Sequence, residues 1–554
     1  MPNLDLSELN IVLGVLGAFT IVYGTISVKI KRAWYLGEAL PAVIFGIILG
    51  PLSAKFIDSE RWASAEPGQT NAITLGVARV MIGVQLVIAG YQLPAKYNYV
   101  HWKEMAMCLL PIMTLMWLCT TACIMATVPK VTFLAALVIG SCVTCTDPIL
   151  SQAIAKGPFA DKYVARPLRE IISSEAGAND GFGFPFLMLA TYLIRHNAAA
   201  AAEADHASPH ALLARSGDVG RLGGGTGEAL KNWVVETWLY VVLMSVAYGA
   251  IVGYSSCKGI RYALKKRWID AESYVLFPTA LGLFIIGTCG ALGTDDLLAC
   301  FVAGSALNWD GHYLKETEIR HDEVNSCIDV LLNFGGFMYI GTIMPWSDFH
   351  DPEGTGLTYG WLILLGFMVL LFRRIPAIMA LYKLMPDVCA NYKEALFMGY
   401  FGPIGAGAVF YLEHARHLFP ELGHGDQEEE DLLRAMGPVV YWLVLFSIVV
   451  HGLSIPALNI IYNYMGVEPI QEDAVKIRRA SIHVAPPANA VLDLSDENTF
   501  VAYNRFSVPG LNSVDLQVLE GRPSMSHSRR EPKRADSTDD DDDDRMSLPR
   551  YERD

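Results

Sequence analysis

The stretch Thr144-Cys145-Thr146-Asp147-Pro148 places a carboxylate directly before a proline, in the middle of an apolar segment. Proline has no amide hydrogen and disfavours helical geometry in the residue before it, so a helix through this segment should open near Asp147. Open backbone at membrane depth is tolerated only where it is buried in protein or lines a cavity. The freed carbonyls, the Thr146 hydroxyl and the Asp147 carboxylate are hard oxygen ligands that suit a small cation. The alternative is a proline kink in which a threonine satisfies the backbone.

That segment is one of thirteen apolar blocks, and a helix needs roughly 20 apolar residues to cross a bilayer. Hydrophobic residues make up 52% of the chain and charged residues 18%, against about 25% charged residues in soluble domains. We therefore predict an all-α polytopic membrane protein, with a transmembrane domain over 1–465 and a disordered acidic cytoplasmic tail over 466–554. The blocks are 10–28, 35–54, 72–93, 104–127, 131–154, 168–194, 233–255, 273–291, 296–309, 325–345, 357–376, 394–412 and 437–464.

The loops between the blocks differ in charge. Alternate loops, beginning after the first block, carry 20 Lys and Arg residues, whereas the opposite set carries 9. Basic loops stay on the cytoplasmic side of a membrane. Thirteen helices therefore predict an N-terminus outside the cell and a C-terminal tail inside it. The segment 196–227, rich in alanine, glycine and charge, is then expected to be an exposed external loop.

The sixth block contains two more carboxylates, Glu175 and Asp180, with Asn179 between them. A carboxylate inside a membrane helix is costly, so each is a functional hypothesis. Asn179 shares a helix face with Glu175, and small residues one turn from Asp180 allow another backbone to approach it closely. Burial disfavours the charged form of a carboxylate, so protons and a metal cation should compete for Asp180. Structural pairing with an arginine is the alternative, above all for Glu175.

A second interrupted helix is predicted in the twelfth block, which reads Gly402-Pro403-Ile404-Gly405. Glycine and proline both weaken a helix interior. The fifth and twelfth blocks are seven apart, as expected for two six-helix repeats that are joined by one connecting helix and therefore inverted. Paired broken helices in corresponding halves are the best sequence indication of a transporter's midplane site.

Two charged pairs lie at block ends. Arg373 and Arg374 close the eleventh block, either as cytoplasmic anchors or with one of them neutralising Glu175. Asp295 and Asp296 open the ninth block, either as an ordinary helix start favoured by the helix dipole or as groups that help ions to enter.

Composition and motifs argue against several other classes of protein. The formal net charge is -15, and the absence of a basic stripe argues against nucleic-acid binding. No metal-ligand spacing such as HExxH and no nucleophile–base pair supports a membrane-embedded enzyme. We expect no cofactor and no metal beyond a transported alkali cation. Cys142 and Cys145 are interpreted as small residues one turn apart, and only His451 lies well inside a block, so carboxylates should carry the proton.

Two further alternatives stay open. A transporter of another solute, such as an organic anion, would place cationic groups beside the broken helices, whereas a signalling scaffold would need no buried carboxylates. The tail contains Ser481 and Ser537, which are candidate phosphosites for a kinase or another regulator, and six consecutive aspartates at 539–544. Such a charge run is expected to stay solvated, and an unregulated tail is the competing interpretation.

Several short motifs occur together along the chain. They are Leu93-Pro94-Ala95-Lys96-Tyr97, Thr146-Asp147-Pro148, Glu175 with Asn179-Asp180-Gly181, Asp295-Asp296-Leu297-Leu298 with Ala303-Gly304 and Trp309-Asp310-Gly311, Arg373-Arg374 with Pro376, Glu394-Ala395-Leu396-Phe397, and Gly402-Pro403-Ile404-Gly405. Taken together, these motifs resemble the fungal plasma-membrane Na+/H+ antiporters of the cation–proton antiporter superfamily, over roughly residues 10–465.

The resemblance implies inverted repeats with crossed broken helices, a homodimer, and elevator-type alternating access. It implies that Thr146, Asp147 and Asp180 contact the ion, that Asn179 orients the site, and that an arginine of the eleventh helix pairs with the acidic residue at 175. Many relatives have serine where this chain has alanine at 176, which removes one ligand. The expected activity is export of Na+ or K+, and of Li+, in exchange for H+, for salt tolerance and pH homeostasis.

Overall fold

The structure, a computed structural model, describes residues 8–30, 34–62, 66, 68–155, 158–197, 221–319, 324–470, 475–478, 490–492 and 499–502. Each of the thirteen predicted blocks coincides with one to three consecutive helical segments, which confirms the predicted helical membrane architecture. The α-helices up to residue 195 are α1 (Glu8–Val28), α2 (Ala39–Leu49), α3 (Gln69–Tyr91), α4 (Tyr97–Val100), α5 (Trp102–Met107), α6 (Met113–Thr127), α7 (Phe133–Cys142), α8 (Pro148–Ala155), α9 (Pro158–Tyr163), α10 (Arg166–Phe182) and α11 (Phe184–Arg195).

The second half continues in the same way. Its α-helices are α12 (Gly225–Asn232), α13 (Met244–Lys266), α14 (Ala271–Leu292), α15 (Asp296–Leu307), α16 (His312–Ile319), α17 (Val324–Thr342), α18 (Tyr359–Phe372), α19 (Ile375–Leu381), α20 (Tyr392–Tyr400), α21 (Ala406–Arg416) and α22 (Gln427–Met465). Four further helical segments are π-helical at Cys108–Ile112 and Trp233–Leu243, and 3-10 at Ser59–Arg61 and Tyr382–Leu384.

Within the described residues, seven helical segments are long and apolar enough to cross a membrane. Large apolar side chains on their outer faces are more than half exposed, for example Ile21, Ile251, Phe284 and Phe367. Contiguous apolar surface of this extent indicates contact with lipid. The seven segments are Glu8–Ser27, Gln69–Tyr91, Trp102–Thr127, Gly225–Lys266, Ala271–Leu292, Tyr359–Leu384 and Gln427–Met465.

The helices form two bundles. A first bundle contains α1–α3, α13–α15 and α17, and a site bundle contains α6–α8, α10, α11 and α18–α22. In the first bundle, glycines bring helix backbones into direct contact, since a Cβ on Gly90 would lie 2.6 Å from Phe301 O. Small residues permit such close approach in membranes. The bundles meet mainly where α21 packs against α3 and α10 against α15.

Both predicted helix interruptions are present. The fifth block divides between α7 and α8, with α8 beginning at Pro148, and the twelfth divides between α20 and α21, with Gly402, Pro403 and Gly405 in the gap. The two non-helical stretches cross, and the backbone nitrogen of Asp147 donates to Pro403 O at 2.9 Å. Each break therefore satisfies part of the backbone that the other exposes, as buried backbone requires.

Two charged residues of the predicted external loop are buried, whereas its C-terminal end is exposed at Leu222 and Gly227. His196 and Arg221 are both buried, and residues 198–220 lie outside the described part of the chain. Arg221 Nε donates to Asp426 Oδ2 at 2.7 Å, and its Nη2 donates to Glu428 Oε2 at 2.7 Å. Asp426 is also the N-cap of α22. The expectation of exposure fails at Arg221 because this arginine pairs with acidic residues more than 200 positions away, which the local sequence does not reveal.

This ion pair predicts a pH dependence of stability. Partial burial raises the pKa of Asp426, but hydrogen bonds from Arg221 and from the backbone of Glu429 outweigh it and hold that pKa below its usual range. A lowered folded-state pKa contributes stability that is present at neutral pH and is lost as pH falls through that pKa. We expect the wild type to melt at a higher temperature than Asp426→Asn at pH 7, and the difference to shrink as pH falls below about 4. Asparagine is an equally good N-cap, so a constant difference across pH would contradict the ion pair.

Three short strands lie in the segment that was predicted as a disordered tail. They are β1 (Val475–Arg478), β2 (Ala490–Leu492) and β3 (Thr499–Ala502), and they form an antiparallel sheet in the order β1-β3-β2. The backbone nitrogen of Ile470 donates to Lys162 O at 2.8 Å, joining the start of this segment to α9. The candidate phosphosites Ser481 and Ser537 and the aspartates at 539–544 lie outside the described residues.

Candidate functional site

Asp147 caps two half-helices at once. Its Oδ1 accepts from Leu150 N at 2.8 Å in the first turn of α8, and its Oδ2 accepts from Ala406 N at 2.7 Å at the start of α21. Helix N-termini carry partial positive charge and unsatisfied amides, which favour a carboxylate. A Cβ on Gly405 would collide with this carboxylate, so glycine allows the second break to approach. Asp147 lies at the crossing as predicted, with both oxygens engaged by backbone.

Thr146 and Asn179 hold the crossing against α10. Thr146 N donates to Asn179 Oδ1 at 3.0 Å, and Asn179 Nδ2 donates to Thr146 Oγ1 at 2.8 Å. All four of these atoms belong to fully buried residues. The paired bonds fix the amide orientation and leave the hydroxyl proton of Thr146 free to turn. The structure therefore brings together the two residues that the sequence analysis assigned to the ion site and its orientation.

Arg373 donates hydrogen bonds to free carbonyls at the C-terminal ends of the two helices that precede the breaks. Its Nη1 donates to Gly402 O at 2.7 Å, and its Nη2 donates to Thr144 O at 3.0 Å and Cys145 O at 2.6 Å. These carbonyls follow α20 and α7, where helix C-termini carry partial negative charge. The side chain is buried, so the interpretation of Arg373 as a cytoplasmic anchor is wrong, and it does not pair with Glu175 either.

Arg374 is the partner of Glu175. Its Nη1 donates to Glu175 Oε1 at 2.6 Å, and its Nη2 donates to Glu175 Oε2 at 2.7 Å, a bidentate pair. Arg374 Nε also donates to Met398 O at 3.0 Å. Both side chains are buried, and bidentate geometry makes such a pair strong and directional. The two adjacent arginines thus have different partners: Arg373 binds backbone carbonyls, and Arg374 binds a carboxylate.

Asp180 differs from the other charged residues at this crossing because its carboxylate lacks a nitrogen or oxygen donor among the described residues. It is 0% exposed, and neither carboxylate oxygen accepts a hydrogen bond from a nitrogen or oxygen donor within the described residues. Its backbone oxygen accepts from the Tyr411 hydroxyl at 2.5 Å. A Cβ on Gly407 would lie 2.5 Å from Asp180 Oδ1 and 3.2 Å from Cys145 Sγ. A buried carboxylate without donors is costly, so Asp180 favours a proton or a cation beside it.

The acidic pair at the start of α15 lies next to the same helix. Asp295 is the N-cap of α15 and accepts from Leu298 N at 2.9 Å, as for an ordinary helix start. Asp296 forms an ion pair with Arg79. A Cβ on Gly181 would lie 2.5 Å from Leu298 Cα, so the first turn of α15 packs against α10 beside Asp180. A role of Asp295 and Asp296 in helping ions to enter stays a prediction.

Sequence reasoning missed part of the support for the second break. Ile404 N donates to Ser447 Oγ at 2.7 Å, and His451 Nδ1 lies 3.0 to 3.1 Å from Ser447 while its Nε2 lies 3.0 Å from Tyr400 O. The spacing of four between Ser447 and His451 places them on one face of α22. That spacing, together with a histidine inside an apolar block, was the available signal for a group that satisfies broken backbone.

The close approach of α21 to Asp180 predicts a steric effect. Gly407→Ala would place a methyl group against the Asp180 carboxylate, where a cation or proton must be accommodated. We expect ion exchange to be lost and stability to fall by about 1–3 kcal/mol, as for an overpacked core. The control is Gly76→Ala on α3, where a methyl group would have open space. Equal exchange by both variants in vesicles would contradict this placement of Asp180.

Comparison with known proteins identifies the family and the fold. The family model for the transmembrane sodium/hydrogen exchanger matches residues 16–460. The sodium proton antiporter MjNhaP1 from Methanocaldococcus jannaschii, at pH 8, superposes with a TM-score of 0.53 over 80% of this chain and all of that one. At 14% sequence identity, that likeness concerns the fold alone.

Curated relatives come from yeasts. Na+/H+ antiporter 2 of Zygosaccharomyces rouxii is 34% identical over 82% of this chain, and the Na+/H+ antiporter of Saccharomyces cerevisiae is 35% identical over 83%. The chain spans about half of their length, 53% and 44% respectively. It covers 92% of a Na+/H+ antiporter of Schizosaccharomyces pombe at 31% identity. The resemblance drawn from the motifs is confirmed, and this multi-pass membrane protein belongs to the sodium/hydrogen exchanger family.

Proposed function

We propose that this protein is a secondary active antiporter that exchanges Na+ for H+ through Asp180. One observation carries the proposal: Asp180 is fully buried at the crossing, and its carboxylate has no nitrogen or oxygen donor among the residues that the structure describes. The other charged groups at the crossing have partners. Asp147 accepts from backbone amides at two helix N-termini. Glu175 pairs with Arg374, and Arg373 donates to backbone carbonyls. A cation therefore has one carboxylate available to neutralise it.

Exchange follows from competition for that carboxylate. When Na+ binds, it displaces the proton from Asp180, and when a proton binds, Na+ must leave. The empty, charged carboxylate is costly to keep away from water. This cost opposes reorientation of the transporter across the membrane when neither Na+ nor a proton is bound. Hard oxygens of Thr146 and of the crossing backbone complete the coordination shell in this proposal, since alkali cations favour oxygen ligands. An inward proton gradient then drives Na+ outward.

The finer assignments are also proposals. Export of K+ and Li+, roles in salt tolerance and pH homeostasis, a homodimer at the plasma membrane, and an external N-terminus with a cytoplasmic tail all rest on the resemblance and on the loop charges. Alanine at 176 lies one turn before Asp180 and offers no oxygen. With fewer fixed ligands, the site is expected to discriminate weakly between Na+ and K+.

The alternative of an organic-anion transporter finds little support in this arrangement. It needs a cationic group available to the substrate beside the broken helices. Arg373 donates to three backbone carbonyls, and Arg374 is neutralised by Glu175. Of these two guanidiniums, only Nε of Arg373 lacks a hydrogen-bond partner within the described residues, and a single buried N–H offers little to an organic anion.

The direct test is cation-dependent proton flux. Purified full-length protein is placed in vesicles with an acidic interior, and a pH-sensitive dye reports proton loss when Na+, K+, Li+ or choline is added outside. We expect Na+ to collapse the gradient and choline to leave it unchanged. No response to any alkali cation above the choline level would overturn the proposed function.

A further inference from the structure

The Asp180 carboxylate shares its small space with a thiol. The Cys145 side chain lies in the non-helical stretch between α7 and α8 and is buried. A methyl group on Gly407 would touch both Cys145 Sγ, at 3.2 Å, and Asp180 Oδ1, at 2.5 Å, so both groups border the same point above the first turn of α21. The hydrogen bond that the thiol itself makes, to Cys142 O, is long at 3.9 Å.

The other buried thiols differ in their surroundings. Cys142 donates to Val138 O at 3.4 Å within its own helix. Cys257 also approaches a carboxylate, at 3.6 Å from Asp310 Oδ1, but Asp310 is paired with Arg261 at 3.0 Å. Only at Cys145, within the described residues, does a thiol border a buried carboxylate whose oxygens lack nitrogen and oxygen donors.

We propose that Cys145 and Asp180 form a site for a thiophilic divalent cation such as Cd2+, at the place that the transported alkali cation occupies. Sulfur ligands favour soft metal ions over hard ones. One thiolate and one carboxylate together neutralise a divalent charge, which buried ions require. On binding, the metal displaces the thiol proton of Cys145 and the proton or Na+ held by Asp180, both of which are released to solvent, and no electrons are transferred. Because the pair lies at the position proposed for the transported cation, a bound Cd2+ acts as an inhibitor.

The inference rests on the proposed function, because Cd2+ is expected to compete with Na+ for Asp180. Cd2+ should therefore inhibit exchange, and higher Na+ should relieve that inhibition. The thiol adds affinity for Cd2+ that hard Na+ does not gain. Loss of the sulfur is expected to weaken Cd2+ binding by at least about tenfold, since even a residue that only supports a metal ligand through a hydrogen bond contributes that much.

The test uses full-length protein in which Cys327, which is exposed, and Cys119, which is partly exposed, are replaced by serine. Cd2+ binding is followed by the sulfur-to-cadmium charge-transfer absorbance, and inhibition is followed in vesicles relative to the rate of the same variant without metal. We expect Cys145→Ser to remove the Na+-sensitive absorbance and to shift the inhibitory Cd2+ concentration upward. The matched controls Cys142→Ser and Cys257→Ser should retain both.

The two readouts separate the inference from the function on which it rests. A Na+-sensitive Cd2+ band that depends on Cys145 supports the site even where vesicles show no exchange, in which case the proposed function alone fails. Vesicles that exchange Na+ for H+ but show the same Cd2+ band and the same inhibition in Cys145→Ser as in its parent overturn the inference. Asp180→Asn should also weaken the band, and an unchanged band in that variant would overturn the pairing of the two residues.

Discussion

Asp180→Asn is expected to abolish Na+-dependent proton flux while leaving the fold intact. The amide keeps the shape of the side chain, but it can neither take up a proton nor neutralise a cation in the exchange cycle. The melting temperature should stay level or rise, because an uncompensated buried carboxylate is replaced by a neutral group. Flux is measured in vesicles with a pH-sensitive dye, and the melting temperature is measured on the purified protein.

A matched variant tests whether loss of a carboxylate elsewhere in the protein also abolishes ion exchange. Asp348 is exposed and lies after α17, away from the crossing, so Asp348→Asn should exchange ions at the wild-type rate. Retained flux in Asp180→Asn, with both variants equally well folded, would refute the assignment of the exchanging group. Because only the ionisable group at 180 changes, a difference between the variants points to its chemistry.

Arg374→Ala should cause the largest loss of stability. Its removal leaves the Glu175 carboxylate buried without its bidentate partner, and breaking a buried pair from one side costs about 3–5 kcal/mol. The control is Arg434→Ala, which removes an exposed partner of Glu430 at 3.6 Å and should change stability by about 0.5 kcal/mol or less. Thermal unfolding of both variants, compared with the wild type, measures the difference.

A double variant separates the charge effect from the loss of packing. Glu175→Gln combined with Arg374→Met removes both charges and keeps much of the side-chain volume, so it should recover most of the stability lost in Arg374→Ala. If the double variant were less stable than Arg374→Ala, the ion pair itself would have to be strongly stabilising. That result would be incompatible with a desolvation cost that the pair only just offsets.

The sequence was sufficient to predict the helical membrane architecture, both interruptions and the group of residues at their crossing. Proline at 148 and the glycine–proline run at 402–405 disrupt helices wherever they occur, so local chemistry predicted the breaks. Carboxylates are too costly to place in a membrane without a reason, which singled out Asp147, Glu175 and Asp180.

The sequence was insufficient wherever partners come from distant helices. Arg373 and Arg374 are adjacent and chemically identical, and their different roles depend on which carbonyls and which carboxylate the folded chain brings near each guanidinium. The pairing of Arg221 with Asp426 spans 205 positions. The two-helix capping by Asp147 depends on the exact approach of α21, which follows from packing rather than from local propensity.

The double attachment of Asp147 has a mechanical consequence. Separating α8 from α21 would break the bond from Ala406 N to Asp147 Oδ2 and the bond from Asp147 N to Pro403 O. Each polar group left unmatched in a dry interior costs about 1–3 kcal/mol. This cost opposes separation of the two half-helices. We therefore expect water to reach Asp180 through the contacts between the bundles, where α10 meets α15 and α21 meets α3.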